Sequence, residues 1–180
     1  SLSKFVTAVG AMRLVDATQI GLDEDVDTRL MSWSVPDNDF DKDHPVTLRG
    51  LLSMTGGIAV PGFPGYAVGQ PLPDLKHILD GIPPATSPPV TVVAVPGSHY
   101  QYSGGGYEIV EALVQDVGHA PFPEVMQDLV FEPAGMTNST FDQPLSEHRE
   151  AEAAVGHLGD GKEVPGRCRI VPERAAGGLW

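Results

Sequence analysis

Cysteine is nearly absent from this chain of 180 residues, which contains Cys168 alone. A single thiol excludes an internal disulfide and a zinc site built from several cysteines. Cys168 stands between Arg167 and Arg169, whose positive charges favour the reactive thiolate form. A cysteine nucleophile is therefore one alternative for the function, beside the simpler interpretation of an ordinary loop thiol.

Basic residues and long apolar runs are also scarce. The chain has 11 Lys and Arg residues against 24 Asp and Glu residues, which gives a net charge of −13. Binding to a phosphate backbone needs clustered positive charge, so the composition excludes nucleic acid as a partner. No apolar run approaches the roughly 18 residues of a membrane span, and no signal peptide pattern is present. These absences fit a protein of either the bacterial cytoplasm or the periplasm.

Hydrophobic residues make up 41% of the chain, enough to build the buried core of one domain. The 21 glycines and 17 prolines predict long ordered loops between helices of modest length. Apolar periodicity and capping residues predict helices at residues 3–16, 48–54, 74–79, 106–117, 122–131 and 147–154. In the first helix the predicted apolar face is Val6, Val9, Met12 and Leu14. In the fourth the predicted buried residues are Ile109, Val110, Leu113 and Val114.

The first residues of the chain place a hydroxyl and an amine on one face of a helix. Ser1 and Lys4 stand at positions i and i+3, which are neighbours on a helical surface. A serine attacks a carbonyl only when a base takes its proton, and a desolvated lysine can be that base. Ser3 is the competing serine, although it points away from Lys4 on a helix. The alternative for Lys4 is a solvated lysine on the first helical turn.

A second candidate segment is Tyr102-Ser103-Gly104, which precedes the fourth predicted helix. A phenol at Tyr102 would complete an acid–base pair with Lys4 and pass a proton from Ser1 to a leaving group. The alternative is a core aromatic beside a glycine turn, a role that suits Tyr100 and Tyr107 better.

The order of several segments resembles the class C β-lactamase-like serine hydrolases, which include penicillin-binding proteins, D-aminopeptidases and esterases. The Ser-x-x-Lys motif is the first signature of this group. Residues 46–57 resemble the family segment VT-x-R-x-LLSHTSG, and residues 96–107 resemble PG-x-x-F-x-YSN-x-GY. Residues 133–141 resemble PLGM-x-x-T-x-F, and residues 175–180 resemble the Gly-rich stretch that follows in the same order. The matches span essentially the whole chain.

The resemblance implies an α+β protein with the β-lactamase/penicillin-binding transpeptidase-like fold. In the family a third motif, Lys-Thr-Gly or His-x-Gly, comes after the Gly-rich stretch, and no such triplet follows residues 175–180 here. We therefore expect the chain to cover mainly the helical part of the fold and to lack most of the sheet. As a single partial domain, it divides into a nucleophile helix at 1–17, a helical and loop region at 18–170, and the start of the Gly-rich return segment at 171–180.

The same resemblance implies a serine hydrolase in which Ser1 forms an acyl-enzyme and Lys4 and Tyr102 exchange its proton, with no cofactor. The substrate is a small-molecule ester or, less readily, a β-lactam or D-amino-acid amide. Gly104 is assigned to substrate binding, since it stands where most relatives have Asn, and its lack of a side-chain amide favours esters.

Two alternatives remain open at the level of sequence. In the first, the chain is a truncated, non-catalytic helical module that needs a partner or the missing segments. In a third interpretation Ser1 uses its own amine as the base. The patterns do not fix the oligomeric state.

Overall fold

The computed structural model describes residues 1–180, and all of its regular secondary structure is helical. The α-helices are α1 (Leu2–Asp16), α2 (Leu48–Leu52), α3 (Leu75–Asp80), α4 (Gly104–Gly118), α5 (Phe122–Met126), α6 (Glu147–Glu152) and α7 (Arg174–Gly177). A 3-10 turn lies at Val26–Thr28, and a π-helical turn, Gln127–Phe131, continues α5. None of the helices combines the length and apolar character needed to cross a membrane.

Strands are absent from residues 1–180, which contain four isolated β-bridges instead: Asp25–Thr47, Ile58–Val92, Tyr66–Ile170 and His157–Glu163. The helical content agrees with the expectation of a mainly helical part. The sheet that the α+β class requires does not occur within this chain.

Helix α4 lies at the centre of the fold and contacts α1, α2, α3, α5 and α7. The four apolar residues predicted to be buried on it are at most 2% exposed, which confirms the periodicity argument. The helix begins two residues before the predicted start, because Ser103 caps it. The Ser103 Oγ accepts a hydrogen bond from the Gly106 amide at 2.9 Å, the usual way of satisfying a free amide in the first turn.

The predicted apolar face of α1 is wrong, although Leu14 is buried as expected. Val9 and Met12 are 37% and 42% exposed, and the buried residues are Ser3, Lys4, Thr7, Gly10, Ala11 and Leu14. The reason is close packing: a Cβ atom at Gly10 would lie 2.5 Å from the Met126 sulfur. Small and polar residues therefore let α1 approach its neighbours, and hydrophobicity alone does not reveal this face.

An apolar strip runs along the opposite side of α1. It is formed by Leu2, Phe5, Val9 and Met12, and Leu2 and Phe5 are 80% and 71% exposed. The spacing of these residues places them on adjacent turns of one helical side. Exposed apolar surface of this kind usually marks a face that another part of a protein covers.

The shorter helices form where the sequence predicted them, with two exceptions. Thr47 caps α2, since its Oγ1 accepts a hydrogen bond from the Gly50 amide at 3.1 Å. The predicted helix at 122–131 is α-helical only to Met126 and then widens into the π-helical turn. Helix α7 was not predicted, because a segment of four residues carries no periodicity.

Three carboxyl groups lie within the core: Glu108 and Glu111 are 0% exposed, and Glu173 is 1% exposed. Burial raises the pKa of Glu173 from 4.5 to about 7, since a carboxylate loses its hydration there. At a pH between 4.5 and about 7, Glu173 therefore retains a proton in the folded protein that it releases in the unfolded chain.

We expect Glu173 to make the protein less stable as pH rises from 4.5 to 7. In that window the folded state binds more protons than the unfolded state, so each such proton lowers the free energy of unfolding by about 1.4 kcal/mol per pH unit. Replacing Glu173→Gln should reduce the slope of unfolding free energy against pH, measured by urea denaturation. Glu163→Gln, at an exposed position, is the control. An unchanged slope in Glu173→Gln would contradict the assignment.

Candidate active site

The structure brings Ser1, Lys4 and Tyr102 together. The Ser1 Oγ and the Tyr102 Oη are 2.9 Å apart, and the Lys4 Nζ donates a hydrogen bond to the Ser1 Oγ at 3.3 Å. Ser1 is the N-cap residue of α1, and Tyr102 lies just before the N-cap of α4. The contact between α1 and α4 therefore unites two segments that are far apart in sequence.

Lys4 is not a solvated surface lysine, since it is only 7% exposed. Besides Ser1, its Nζ donates to the Ala176 carbonyl at 2.8 Å and lies 5.2 Å from the centre of the Tyr102 ring. The Lys4 Nζ also lies 5.8 Å from the centre of the Tyr107 ring. No carboxylate forms an ion pair with Lys4, so its hydrogen bonds reach neutral oxygens and its charge faces aromatic rings.

Tyr102 is 41% exposed and does not belong to the core. The hydrogen bond from Ser1 lowers the pKa of the Tyr102 phenol, and the Lys4 ammonium adds to this effect. Tyr107 is the core aromatic, as predicted, and its hydroxyl donates to the Leu52 carbonyl at 3.3 Å. Tyr100 is 66% exposed, so the suggestion that it fills the core is wrong.

Ser3 faces a different neighbour from Ser1. It is 3% exposed, and its Oγ accepts a hydrogen bond from the Leu179 amide at 3.1 Å. This contact directs Ser3 towards the segment after α7 and away from the solvent-exposed side where Ser1 meets Tyr102.

Gly104 begins α4 against the loop at 61–63. Its amide donates to the Pro61 carbonyl at 3.1 Å, and the Gly105 amide donates to the Val60 carbonyl at 2.9 Å. A Cβ atom at position 104 would lie 3.1 Å from the Phe63 ring. Phe63 thus occupies the space into which a side chain at position 104 would extend, and the first amides of α4 are already bound.

Sequence reasoning missed the contribution of the backbone at α7. The Ala176 carbonyl binds Lys4, and the Ala175 carbonyl accepts a hydrogen bond from the Thr7 hydroxyl at 3.3 Å. The segment at 175–180 was recognised by its residues, but a carbonyl group has no side-chain signature that could indicate this role.

Cys168 is half-buried in the loop before α7. Burial raises the pKa of its thiol and the Glu150 carboxylate raises it further, against a smaller opposing effect of Arg167. The neighbouring arginines therefore do not lower the pKa of this thiol, and the ordinary loop thiol is the better interpretation of Cys168.

The chain belongs to the beta-lactamase family, whose model matches residues 1–180. It is 29% identical to penicillin-binding protein 4 of Amycolatopsis lactamdurans over 178 residues, which cover 97% of this chain and 44% of that protein. This relationship agrees with the resemblance drawn from the motifs.

Solved structures show the same fold. A beta-lactamase/D-alanine carboxypeptidase from Yersinia pestis, complexed with citrate, matches 99% of this chain and 48% of its own with a TM-score of 0.71 and 20% identity. EstCE1, a hydrolase with promiscuous acyltransferase activity, matches 99% of this chain and 53% of its own with a TM-score of 0.70 and 22% identity. The chain thus spans about half the length of the proteins it resembles.

We expect Tyr102 to ionise at a lower pH than an ordinary tyrosine when the protein is titrated spectrophotometrically. Tyr102→Phe should abolish this early ionisation, and both Ser1→Ala and Lys4→Met should raise its pKa, because each removes a group that stabilises the phenolate. Tyr100→Phe, at an exposed position outside the site, should leave it unchanged. An early ionisation that persists in Tyr102→Phe would show that the phenol is assigned to the wrong residue.

Proposed function

We propose that the protein is a serine hydrolase that forms an acyl-enzyme on Ser1. The observation that carries this proposal is the position of the Ser1 Oγ, within hydrogen-bond distance of both the Tyr102 Oη and the Lys4 Nζ. A nucleophile beside an acid–base group, which is itself oriented by a third group, is the arrangement that covalent hydrolysis requires.

Acylation begins when the Ser1 Oγ attacks the carbonyl carbon of the substrate. The Tyr102 phenolate takes the Ser1 proton, supported by the charge of Lys4, or Lys4 takes it directly. The proton then passes to the leaving oxygen, the ester bond breaks and an alcohol departs. Water attacks the Ser1 ester in the second step, the same groups move its protons, and a carboxylic acid is released.

Ser1 stands at the N-terminus of a helix of 15 residues. The aligned peptide dipoles place partial positive charge at this end, which stabilises negative charge that develops on the oxygen of a tetrahedral intermediate. No cofactor enters either step of this reaction.

Small carboxylic esters are the proposed substrates, and β-lactams and D-amino-acid amides come next. Gly104 supports this order, since it offers no side-chain amide and the Phe63 ring lies beside it. An ester has no N–H group that needs a partner, so an apolar wall is less costly for it than for an amide. The similar solved structures include a beta-lactamase/D-alanine carboxypeptidase and EstCE1, a hydrolase with promiscuous acyltransferase activity.

A second candidate is a non-catalytic helical module that needs a partner or further segments. The apolar strip on α1 favours it, because Leu2 and Phe5 lie uncovered beside the nucleophile.

A fluorophosphonate probe, which phosphonylates activated serines, separates the candidates when the intact mass of the 180-residue protein is measured. We expect one adduct, located on Ser1 by peptide mapping, and none in Ser1→Ala. Lys4→Ala should slow labelling by about 10²- to 10⁴-fold, the usual contribution of a general base.

Ser3→Ala is the matched control and should keep the adduct, since Ser3 binds the Leu179 amide instead. Labelling that survives Lys4→Ala would support the Ser1 amine as the base. A protein that stays unlabelled at high probe concentration would favour the non-catalytic module.

A further inference from the structure

Helix α4 carries two carboxyl groups that the proposed reaction does not use. Glu108 and Glu111 lie at positions i and i+3, on one face of the helix, and both are 0% exposed. Carboxyl groups are rarely buried to this extent without specific partners, because removing them from water is costly. An apolar residue would fill the same space without that cost, so the two carboxyl groups must supply contacts that an apolar side chain does not.

Both carboxyl groups bind the backbone of α7. The Glu111 Oε2 accepts a hydrogen bond from the Ala175 amide at 2.9 Å, and the Glu108 Oε1 accepts one from the Ala176 amide at 3.1 Å. The Arg174 guanidinium is 3.4 Å from the other Glu111 oxygen. Helix α7 has only four residues and no side-chain cap of its own, so these contacts satisfy amides at its start and help to fix where it lies.

The carbonyl groups of Ala175 and Ala176, whose amides bind the two glutamates, face α1. The Ala175 carbonyl binds the Thr7 hydroxyl at 3.3 Å, and the Ala176 carbonyl binds the Lys4 ammonium at 2.8 Å. Ala176 is thus held through its amide by Glu108 while its carbonyl holds Lys4. Any shift of α7 moves the oxygen that fixes Lys4 beside Ser1.

We propose that Glu108 and Glu111 are positioning residues for Lys4 and act through the backbone of Ala176 and Ala175. This inference rests on the proposed role of Lys4 in proton transfer. Neither carboxyl group contacts Ser1, Lys4 or Tyr102, so their effect is on geometry. A displacement of about 1 Å in a catalytic group can reduce a rate by about 100-fold.

Glu108 is held where the neutral carboxyl form is favoured. Burial, together with the carboxyl groups of Glu111 and Glu173, raises the pKa of Glu108 well above its usual range. A glutamine, which is neutral and keeps the acceptor oxygen, should therefore substitute for Glu108 without loss of the Ala176 contact. An apolar side chain should lose that contact.

The test compares Glu108→Gln with Glu108→Met and measures both the pKa of Tyr102 and the rate of fluorophosphonate labelling. Glu108→Met removes the acceptor for the Ala176 amide. We expect the pKa of Tyr102 to rise towards that of an ordinary tyrosine and labelling to slow by about 10- to 100-fold. Glu108→Gln should stay near the wild-type protein in both measurements.

Ile109→Val is the control for lost core packing on the same helix, since Ile109 is fully buried but lies outside this hydrogen-bonded path. It should lower stability without changing the pKa of Tyr102. Glu111→Met removes the acceptor for the Ala175 amide, and it should shift both measurements in the same direction as Glu108→Met. It serves as the test if Glu108→Met does not fold.

An unchanged Tyr102 pKa in folded Glu108→Met or Glu111→Met would overturn the inference and leave Glu108 and Glu111 a purely structural role. The titration does not depend on catalysis. If the wild-type protein fails to label while the Tyr102 pKa still responds to Glu108→Met, the proposed hydrolase is wrong but the positioning of Lys4 is supported.

Discussion

The hydrogen bond from the Lys4 Nζ to the Ala176 carbonyl is the interaction on which the rest of the site depends. It is 2.8 Å long, buried, and joins residues near the two ends of the chain. A buried ammonium needs hydrogen-bond acceptors, and this carbonyl and the Ser1 hydroxyl supply them without a carboxylate. The position of α7 consequently determines the relation of Lys4 to Ser1 and Tyr102.

Helix α4 links the fold to this chemistry. Its apolar residues form the centre of the core, the loop before it delivers Tyr102, and its two buried acids hold α7. Helix α1 has a corresponding division: its small and polar side meets α4 and α7, and its apolar strip is exposed. One packing arrangement therefore places the nucleophile, the lysine and the phenol together.

The sequence predicted those parts that side-chain patterns encode. The meeting of Ser1, Lys4 and Tyr102 followed from motif spacing and order, and the core of α4 followed from apolar periodicity. The close approach of α1 to Met126 at Gly10 was missed, since a glycine does not raise the hydrophobicity along α1. The role of Ala176 was also missed, because a long-range contact to a backbone carbonyl leaves no trace in residue type.

The most direct test of the central claim, attack by Ser1, is the pre-steady-state release of alcohol from a chromogenic carboxylic ester by the 180-residue protein. An acyl-enzyme on Ser1 predicts a burst of about one alcohol per chain before the steady rate, with a mass increase of one acyl group on the Ser1 peptide. Ser1→Ala should show neither, and Ser3→Ala should show both. Release without a burst or acyl adduct, or with an adduct on another residue, would contradict the account.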